Sequence, residues 1–274
     1  MHVVRLDSLD DPRFVDRERY RVVGNHEQLR ARGLFVAEGR LVVQRLIERQ
    51  ACLVRSLLLS DTAYRALPPA AAQLSDDAVA YVCDAAAFET LTGFNIHRGC
   101  LALAARPPQR VLEQVVAAAR TLVLVEDVGN ADNVGGIFRN AAAFGVDGVI
   151  VSGGSADPLY RKSIRTSMGA VLTVPFVTTT GGDAWTEMSA LLRRQGFQLV
   201  ALTPDPAALD IGSFARNSRG DRVALLVGTE GAGLTAQSQA SADVRVRIPI
   251  HADVDSLNVA VATGIALHAI ATPG

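Results

Sequence analysis

The sequence predicts an α/β protein in two parts, with a smaller α/β domain in front of a domain built on a parallel sheet. Its 274 residues exceed the usual size of a single domain. From Thr121 onward, apolar runs alternate strictly with helical segments, whereas the alternation is less regular in the earlier part of the chain. The Pro107-Pro108 pair punctuates the chain between the two regions. We therefore predict domains at residues 1–108 and 121–274, joined by a linker at residues 109–120.

The first region predicts a small α/β unit. An arginine-rich helical stretch at residues 13–33 is followed by a strand, LFVAEG, an amphipathic helix, GRLVVQRLIERQ, and a second strand, LVRSLLLS. Asp84 is the predicted N-cap of the next helix, and GCLALAA closes the unit as a strand. The segment VLEQVVAAAR then leads out as a helical connector.

The second region predicts a doubly wound sheet. Its strands are apolar and rich in β-branched residues, as expected of strands buried on both faces: TLVLVE, GVIVS, QLVAL, VALLVG and VRVRIPI. Helical segments lie between them: NVGGIFRNAAAFG, DPLYRKSIRTSMGAV, DAWTEMSALLRRQG and LTAQSQASA. Ligands of such sheets bind beyond the carboxyl ends of the strands. The pattern alone favours an unknotted chain, because threaded chains are rare.

Composition limits the partners of the protein. The net charge is −1, so any RNA-binding surface must be a local basic patch. Lys162 is the only lysine, and the other basic residues are arginines, which suit forked contacts to phosphate. The arginine bias equally fits a GC-rich genome.

Cysteine and histidine spacing predicts neither a disulfide framework nor a metal site. Cys52, Cys83 and Cys100 are far apart, which indicates buried free thiols, and the five histidines are scattered. The N-terminus has no apolar signal core, and the apolar stretch near the C-terminus is too short to span a bilayer. We expect a cytoplasmic protein without a membrane anchor.

Several chemistries are disfavoured by the absence of their motifs. There is no P-loop, no G-x-G-x-x-G fingerprint after a strand, and no G-x-S-x-G nucleophile elbow. Nucleotide hydrolysis, dinucleotide binding of the dehydrogenase type and Ser-His-Asp acyl transfer are therefore disfavoured.

Three polar clusters follow predicted strands of the second region. In residues 126–151, Asn133 can cap a helix that carries Arg139. In residues 225–234, glycines surround Glu230 and permit close backbone approach to a flat ligand. In residues 247–270, Ser256-Leu257-Asn258 opens a helix whose N-terminus can hold an anion. Each cluster alone could be an ordinary cap or turn, with Asp255 or Ser256 as the cap of the last helix.

Together the three clusters resemble the signature motifs of the SpoU family, the TrmH-like 2′-O-ribose methyltransferases of the SPOUT superfamily. The first motif is matched by Asn133, Gly135, Arg139, Ala143, Phe144 and Gly145. The second is matched by Gly228, Glu230, Gly231, Gly233 and Leu234. The third is matched by Ile248, Pro249, Ser256, Leu257, Asn258 and Val259. A further element, Ser-x-Gly-Ala, appears as Ser167, Gly169 and Ala170.

The first region also resembles a domain of the family, and the second region departs from the family pattern at two places. The segment NHEQLRARGLFVAEGRLVVQRLIE resembles the ribosomal-protein-like substrate-binding domain found in front of many members. Ile250 stands where the family usually has Met, and His251-Ala252-Asp253 stands where it often has glycine. The second departure bears on the shape of the cofactor loop.

The resemblance implies a parallel-sheet SPOUT domain with a C-terminal trefoil knot, in a homodimer with active sites near the interface. The apolar final helix, with Leu257, Val261, Ile265 and Ile270, suits burial in a knot, a dimer contact or an ordinary core. It also implies S-adenosylmethionine (AdoMet) as the cofactor and ribose 2′-hydroxyls of RNA as the substrate. Ribosomal RNA is favoured over tRNA because of the front domain. The alternatives are tRNA methylation, a non-catalytic RNA-binding module of the same fold, and a dehydrogenase-like nucleotide binder.

The resemblance assigns roles to particular residues. The catalytic set is Asn133, Arg139, Glu230, Ser256 and Asn258. The cofactor-binding set is Thr203, Gly228, Ile248, Ile250 and Leu257. Basic residue types and their place in the sequence, rather than the resemblance, suggest phosphate contacts; the predicted RNA-binding set is Arg32, Arg161, Lys162, Arg165 and Ser167, with a solvated helix face as the alternative for the N-terminal arginines. Because a guanidinium keeps its proton, we expect the catalytic arginine to clamp phosphate and polarise the hydroxyl, with Glu230 or a phosphate as proton acceptor.

Overall fold

A computed structural model of the protein describes residues 1–67, 69–92, 99–179, 184–251 and 253–271. By its contacts the chain forms two compact units. The first comprises Met1–Pro108 and Leu159–Leu172, and the second comprises Gln109–Pro158 and Thr173–Gly274. The sequence pattern did not anticipate that Leu159–Leu172 packs with the first unit, because the helical periodicity of this segment is the same in either place.

The described part of the chain contains these strands: β1 (His2–Arg5), β2 (Leu34–Glu38), β3 (Val54–Ser60), β4 (Val79–Cys83), β5 (Cys100–Ala105), β6 (Thr121–Val125), β7 (Gly148–Ser152), β8 (Phe176–Thr179), β9 (Gln198–Leu202), β10 (Leu209–Asp210), β11 (Val223–Val227) and β12 (Val244–Arg247). Its α-helices are α1 (Arg17–Arg21), α2 (His26–Ala31), α3 (Arg40–Gln50), α4 (Asp61–Arg65), α5 (Ala85–Thr92), α6 (Leu112–Ala118), α7 (Ala131–Ala143), α8 (Arg161–Thr166), α9 (Ala184–Arg194), α10 (Ile211–Asn217), α11 (Ala236–Ala240) and α12 (Val259–Ala271).

The first unit is built on a mixed sheet in the order β1-β4-β3-β5-β2. Strands β1, β3 and β4 run parallel, and β5 is antiparallel to both of its neighbours. Tyr20 is fully buried under this sheet, and its hydroxyl lies 3.2 Å from Ser56 Oγ. Asp84 accepts a hydrogen bond from the amide of Ala87 at 2.7 Å, so the N-cap predicted for α5 is present.

The thiols differ in their exposure. Cys83 and Cys100 are buried, as expected, and burial raises the pKa of each thiol to about 12. The expectation was wrong for Cys52, which is exposed just after the end of α3. A short three-residue helix follows α3 and carries Cys52 out of the apolar stripe that α3 buries.

The second unit is built on a sheet of seven described strands, all parallel, in the order β10-β12-β9-β11-β6-β7-β8. Strands β6 and β11 lie at its centre and are apolar and buried along their length, which matches the pattern of a two-sided parallel sheet. Helix α6, which lies in the predicted linker, buries Val115 and Val116 in this core. The α/β class with a parallel sheet is confirmed.

Helices α7 and α12 approach each other closely because small residues line their contact. A Cβ added at Gly136 would lie 2.7 Å from the Cβ of Ala260. Asn140 Nδ2 donates to the carbonyl of Ala260 at 2.6 Å, and a Cβ at Gly264 would lie 2.9 Å from that same nitrogen. This packing fixes the start of α12 beside the second and third turns of α7.

The described residues contain neither a helix that could span a membrane nor a cluster that could hold a metal ion. Among the described residues, none of the helices has both the length and the apolar character that a bilayer span requires. The same residues contain no group of three or more His, Cys, Asp or Glu side chains arranged to hold a metal ion.

Candidate active site

Three segments of the second unit converge around one cavity of about 740 Å³. They are the end of β9, the loop after β11, and the stretch from the end of β12 to the start of α12. All three lie at the carboxyl ends of parallel strands, where open α/β sheets bind ligands. Every residue predicted to bind the cofactor lines this cavity: Thr203, Gly228, Ile248, Ile250 and Leu257.

The loop after β11 closes tightly on itself. A Cβ at Gly228 would lie 2.3 Å from the backbone carbon of Gly233, so only glycine fits there. Gly231 and Gly233 have φ of +88° and +71°, a region that favours glycine. The Gly233 amide donates to the carbonyl of Thr229 at 3.0 Å. The glycines therefore serve the closure of the loop as well as access to a ligand.

Glu126, the first polar residue after β6, holds the far end of this loop. Its carboxylate accepts hydrogen bonds from the amide and the hydroxyl of Thr235, each at 2.9 Å, and from the hydroxyl of Ser238. Thr235 is also the N-cap of α11. Sequence reasoning assigned no role to Glu126, although a carboxylate that directly follows a fully buried strand is a signal that could have identified it.

Asn258 joins all three motifs. Its Oδ1 accepts from the amides of Ala260 and Val261, at 3.0 and 3.2 Å, so Asn258 is the N-cap of α12. Its Nδ2 donates to Asn133 Oδ1 at 2.8 Å and to Glu230 Oε1 at 2.7 Å. One amide therefore connects α7, the glycine loop and α12.

The predicted start of the last helix was wrong. We expected Ser256-Leu257-Asn258 to open the helix, with Asp255 or Ser256 as a possible cap, but α12 begins at Val259. Asn258 takes the cap position, which leaves Ser256 exposed on the wall of the cavity.

The predicted role of Asn133 as a cap was also wrong. Helix α7 begins at Ala131, and Asn130 caps it by accepting from the amide of Asp132 at 2.8 Å. Asn133 is the third residue of the helix and is only 6% exposed. Its Nδ2 has no hydrogen-bond partner among the described residues. Since buried polar groups are normally paired, this N–H is a buried donor whose hydrogen bond is left unmade.

Arg139 is exposed on α7, about 9 Å along the helix axis from Asn133. It is not part of the cavity wall, and no hydrogen bond or ion pair to it is formed within the described ranges. Glu230 is exposed at the opening of the glycine loop, where Asn258 holds one of its oxygens. The catalytic set thus lies in the second unit, with Arg139 outside the cavity proper.

The residues predicted to bind RNA all lie in the first unit. Arg32 and Lys162 are exposed. Arg161 Nη1 lies 2.5 Å from Oε2 of the buried Glu38, and Arg165 Nη1 lies 3.9 Å from its Oε1. Ser167 is fully buried and its hydroxyl donates to the carbonyl of Ile164, so its place in the packing does not fit the predicted RNA contact.

The departure at His251-Ala252-Asp253 changes the rim of the cavity. His251 is exposed and lines the cavity, and its Nδ1 lies 3.4 Å from Asp253 Oδ2. Ala252 lies outside the described residues. The glycine of the family motif is therefore replaced by an imidazole–carboxylate pair at the surface.

The cavity suits a nucleoside-derived cofactor. Its volume falls in the range of small-molecule sites, and apolar side chains such as Leu202, Ile248 and Leu257 are combined with polar groups at its edge. The glycine loop also exposes backbone groups to it. This fold and site define an α/β protein of the cofactor-binding class, with an amide–carboxylate network beside the pocket.

Comparison with known proteins shows which family the chain belongs to. Residues 120–268 match the SpoU rRNA Methylase family, and the chain belongs to that family. A tRNA/rRNA methyltransferase of Mycobacterium tuberculosis, named as uncharacterized, is 40% identical over 94% of this chain and 88% of its own. The 23S rRNA (guanosine(2553)-2′-O)-methyltransferase of Bacillus subtilis is 26% identical over 85% of this chain and 87% of its own.

A solved structure supports the same assignment. The AdoMet-bound rRNA methyltransferase of Sinorhizobium meliloti matches with a TM-score of 0.79 and 25% identity, over 98% of this chain and 97% of that chain. The family resemblance and the parallel-sheet SPOUT fold are therefore confirmed. The trefoil knot stays a prediction.

Proposed function

We propose that this protein transfers a methyl group from AdoMet to a ribose 2′-hydroxyl of RNA. Membership of the SpoU family supports this reaction. The observation that carries it is the Asn258 amide, which links Asn133 and Glu230 directly beside the cavity. A donor that is free on one side and a carboxylate on the other suit the positioning of a hydroxyl group.

The cavity residues would hold the cofactor. When bound, AdoMet supplies a methyl group on a positively charged sulfur. Leu202, Ile248 and Leu257 present apolar surface for an adenosine group, and the glycine loop presents backbone donors and acceptors. Thr203 and Ser256 contribute hydroxyl groups to the wall.

The side chains next to the cavity would orient the RNA. The Asn133 N–H has no partner among the described residues and can donate to an oxygen of the target ribose. The guanidinium of Arg139 offers several N–H donors and no acceptor, so it binds phosphate and polarises the hydroxyl rather than removing its proton. The proton passes to Glu230, whose Oε2 has no partner in the described part of the chain, or to a phosphate of the RNA.

Ribosomal RNA is the proposed substrate class. The name of the Bacillus subtilis relative specifies 23S rRNA, and its match extends over most of both chains, including the first unit. The name of the Mycobacterium tuberculosis relative leaves tRNA as the alternative. Mapping of ribose methylation in total RNA, from cells with and without the gene, decides between them. Loss of a 2′-O-methyl mark from rRNA supports the proposal, and loss from tRNA alone, or from neither, overturns it.

We also propose a homodimer, in the cytoplasm where ribosomal RNA is available, with the knotted C-terminus of the family. Val261 and Ile265 lie one helical turn apart on α12 and are 52% and 41% exposed. Such apolar exposure next to the site suits a subunit contact. Light scattering after size exclusion should give twice the mass of the 29.0 kDa chain. A monomer at micromolar concentration would contradict this part of the proposal.

A further inference from the structure

We propose that Arg247 binds the carboxylate of the methionine part of the cofactor. The inference deepens the proposed function and rests on it. Arg247 is the last residue of β12, directly before Ile248, and its side chain lines the cavity. Of the described residues on the cavity wall, it alone carries a permanent positive charge.

The guanidinium of Arg247 lacks a protein partner. Its Nε is enclosed by protein and has no hydrogen bond, and no described residue forms a hydrogen bond or ion pair with its terminal nitrogens. A partly buried charge without a partner is unfavourable unless a bound group pairs with it. The guanidinium of Arg247 therefore has no hydrogen-bond or charge partner among the described residues of the protein alone.

Three other arginines of the second unit have protein partners, unlike Arg247. Arg245, on the same face of β12, lies 3.3 Å from Asp205, and Arg193 lies 3.2 Å from Asp243. Arg222 donates to backbone carbonyl groups. Arg247 lines the cavity, where a ligand can supply the missing anion.

The chemistry of the cavity favours a carboxylate of a small ligand. A guanidinium fork matches a carboxylate with two parallel hydrogen bonds. Glu230, a carboxylate on the same wall, is already held by Asn258. Arg247 is only partly exposed and its Nε is enclosed, which suits a small molecule inside the cavity better than the backbone of a polynucleotide.

The test compares two ligands that differ in this one group. Calorimetry measures the affinity of the purified protein for AdoMet and for decarboxylated AdoMet. We expect the wild type to bind AdoMet about 10- to 100-fold more tightly, the range of a charge-assisted hydrogen bond. Arg247→Gln should bind the two ligands with affinities within about threefold of each other, mainly through weaker binding of AdoMet. Arg245→Gln, on the same face of the same strand, should keep the wild-type ratio.

The outcomes separate this inference from the proposed function. If the wild type binds AdoMet and decarboxylated AdoMet equally well, the role of Arg247 is overturned. It is also overturned if Arg247→Gln keeps the wild-type ratio of the two affinities, which includes the case in which both affinities fall by the same factor. If Arg247→Gln binds RNA more weakly but keeps the wild-type ratio of the two cofactor affinities, Arg247 contacts phosphate instead, and the inference is overturned. A wild type that binds neither ligand overturns the proposed function itself. Circular dichroism checks the fold of each variant, and the wild-type ratio remains a test where a variant does not fold.

Discussion

Asn258 shows how much of this site depends on one side chain. Its oxygen caps α12, and its nitrogen reaches Asn133 and Glu230, which are 125 and 28 residues away in the chain. An amide can do this because it carries an acceptor and two donors on one planar group. The motifs indicated that these residues act together, but not which of them caps the helix.

Replacing Asn258 with aspartate separates its two roles. A carboxylate still caps a helix, so the cap is kept, and the free energy of unfolding should fall by about 1–3 kcal/mol because the buried oxygen of Asn133 loses its donor. The carboxylate cannot donate to Asn133 and repels Glu230, so methyl transfer should fall by about 10- to 100-fold. Steady-state kinetics and urea unfolding measure the two effects. Wild-type turnover in Asn258→Asp would show that the network does not support the reaction.

Arg139→Ala should abolish methylation and leave the fold intact. The side chain is exposed and has no partner among the described residues, so its loss should change stability by no more than about 0.5 kcal/mol. Arg139→Lys keeps the charge but not the fork, and partial recovery is expected from it. Retained turnover in the alanine variant would remove Arg139 from the mechanism.

The thiols provide a test of burial that does not depend on function. Cys83 and Cys100 are buried with their pKa raised to about 12, whereas Cys52 is exposed. A thiol reagent at pH 8 should label one cysteine per chain in the native protein and three after denaturation. Fast labelling of more than one native thiol would contradict the packing of β4 and β5.

At the scale of elements, the strands could be predicted and the helix starts could not. Unbroken apolar runs such as TLVLVE and VALLVG are typical of strands that are buried on both faces of a parallel sheet. Helix α7 begins in a segment with two asparagines, Asn130 and Asn133, and either can cap a helix. Packing against α12 decided between them by burying Asn133, which local sequence does not report.

The loop after β11 should be intolerant of a single methyl group. In Gly228→Ala the new Cβ would lie 2.3 Å from the backbone of Gly233, so the loop must open. We expect AdoMet binding to weaken at least tenfold, because this loop forms part of the cavity. Gly129→Ala is the matched control, since a Cβ there meets nothing within 4 Å. Equal affinities of the two variants would contradict the role of the loop.

Arg222 stabilises the end of α6. It donates to the carbonyls of Val116, Ala119 and Gln195, and its guanidinium lies 4.4 Å from the ring centroid of Phe197. Its removal leaves several carbonyl groups without a donor, so Arg222→Ala should lower the free energy of unfolding by about 2–4 kcal/mol.

Urea unfolding measures this loss for Arg222, with Arg194→Ala as an exposed control that should change stability by less than about 0.5 kcal/mol. A loss for Arg222→Ala as small as that of the control would show that the contacts of Arg222 contribute little.

For the whole molecule, the sequence predicted the class and the family but not the division of the chain. The motifs of the second unit lie at strand ends, so their convergence follows from a parallel sheet. The segment Leu159–Leu172 packs with the first unit through contacts such as Arg161 with Glu38, which are 123 residues apart. Contacts between residues that are so far apart in the chain leave no periodic pattern in the sequence. Arg247 was likewise invisible, because an arginine in a strand pattern does not show whether it has a partner.

One measurement tests the central claim most directly. The purified protein is incubated with AdoMet labelled in the methyl group and with total RNA, and the RNA is digested to nucleosides and analysed by mass spectrometry. The site predicts label in 2′-O-methylated nucleosides with the wild type and none with Arg139→Ala. Label on a base, or AdoMet binding without any transfer to RNA, would contradict it.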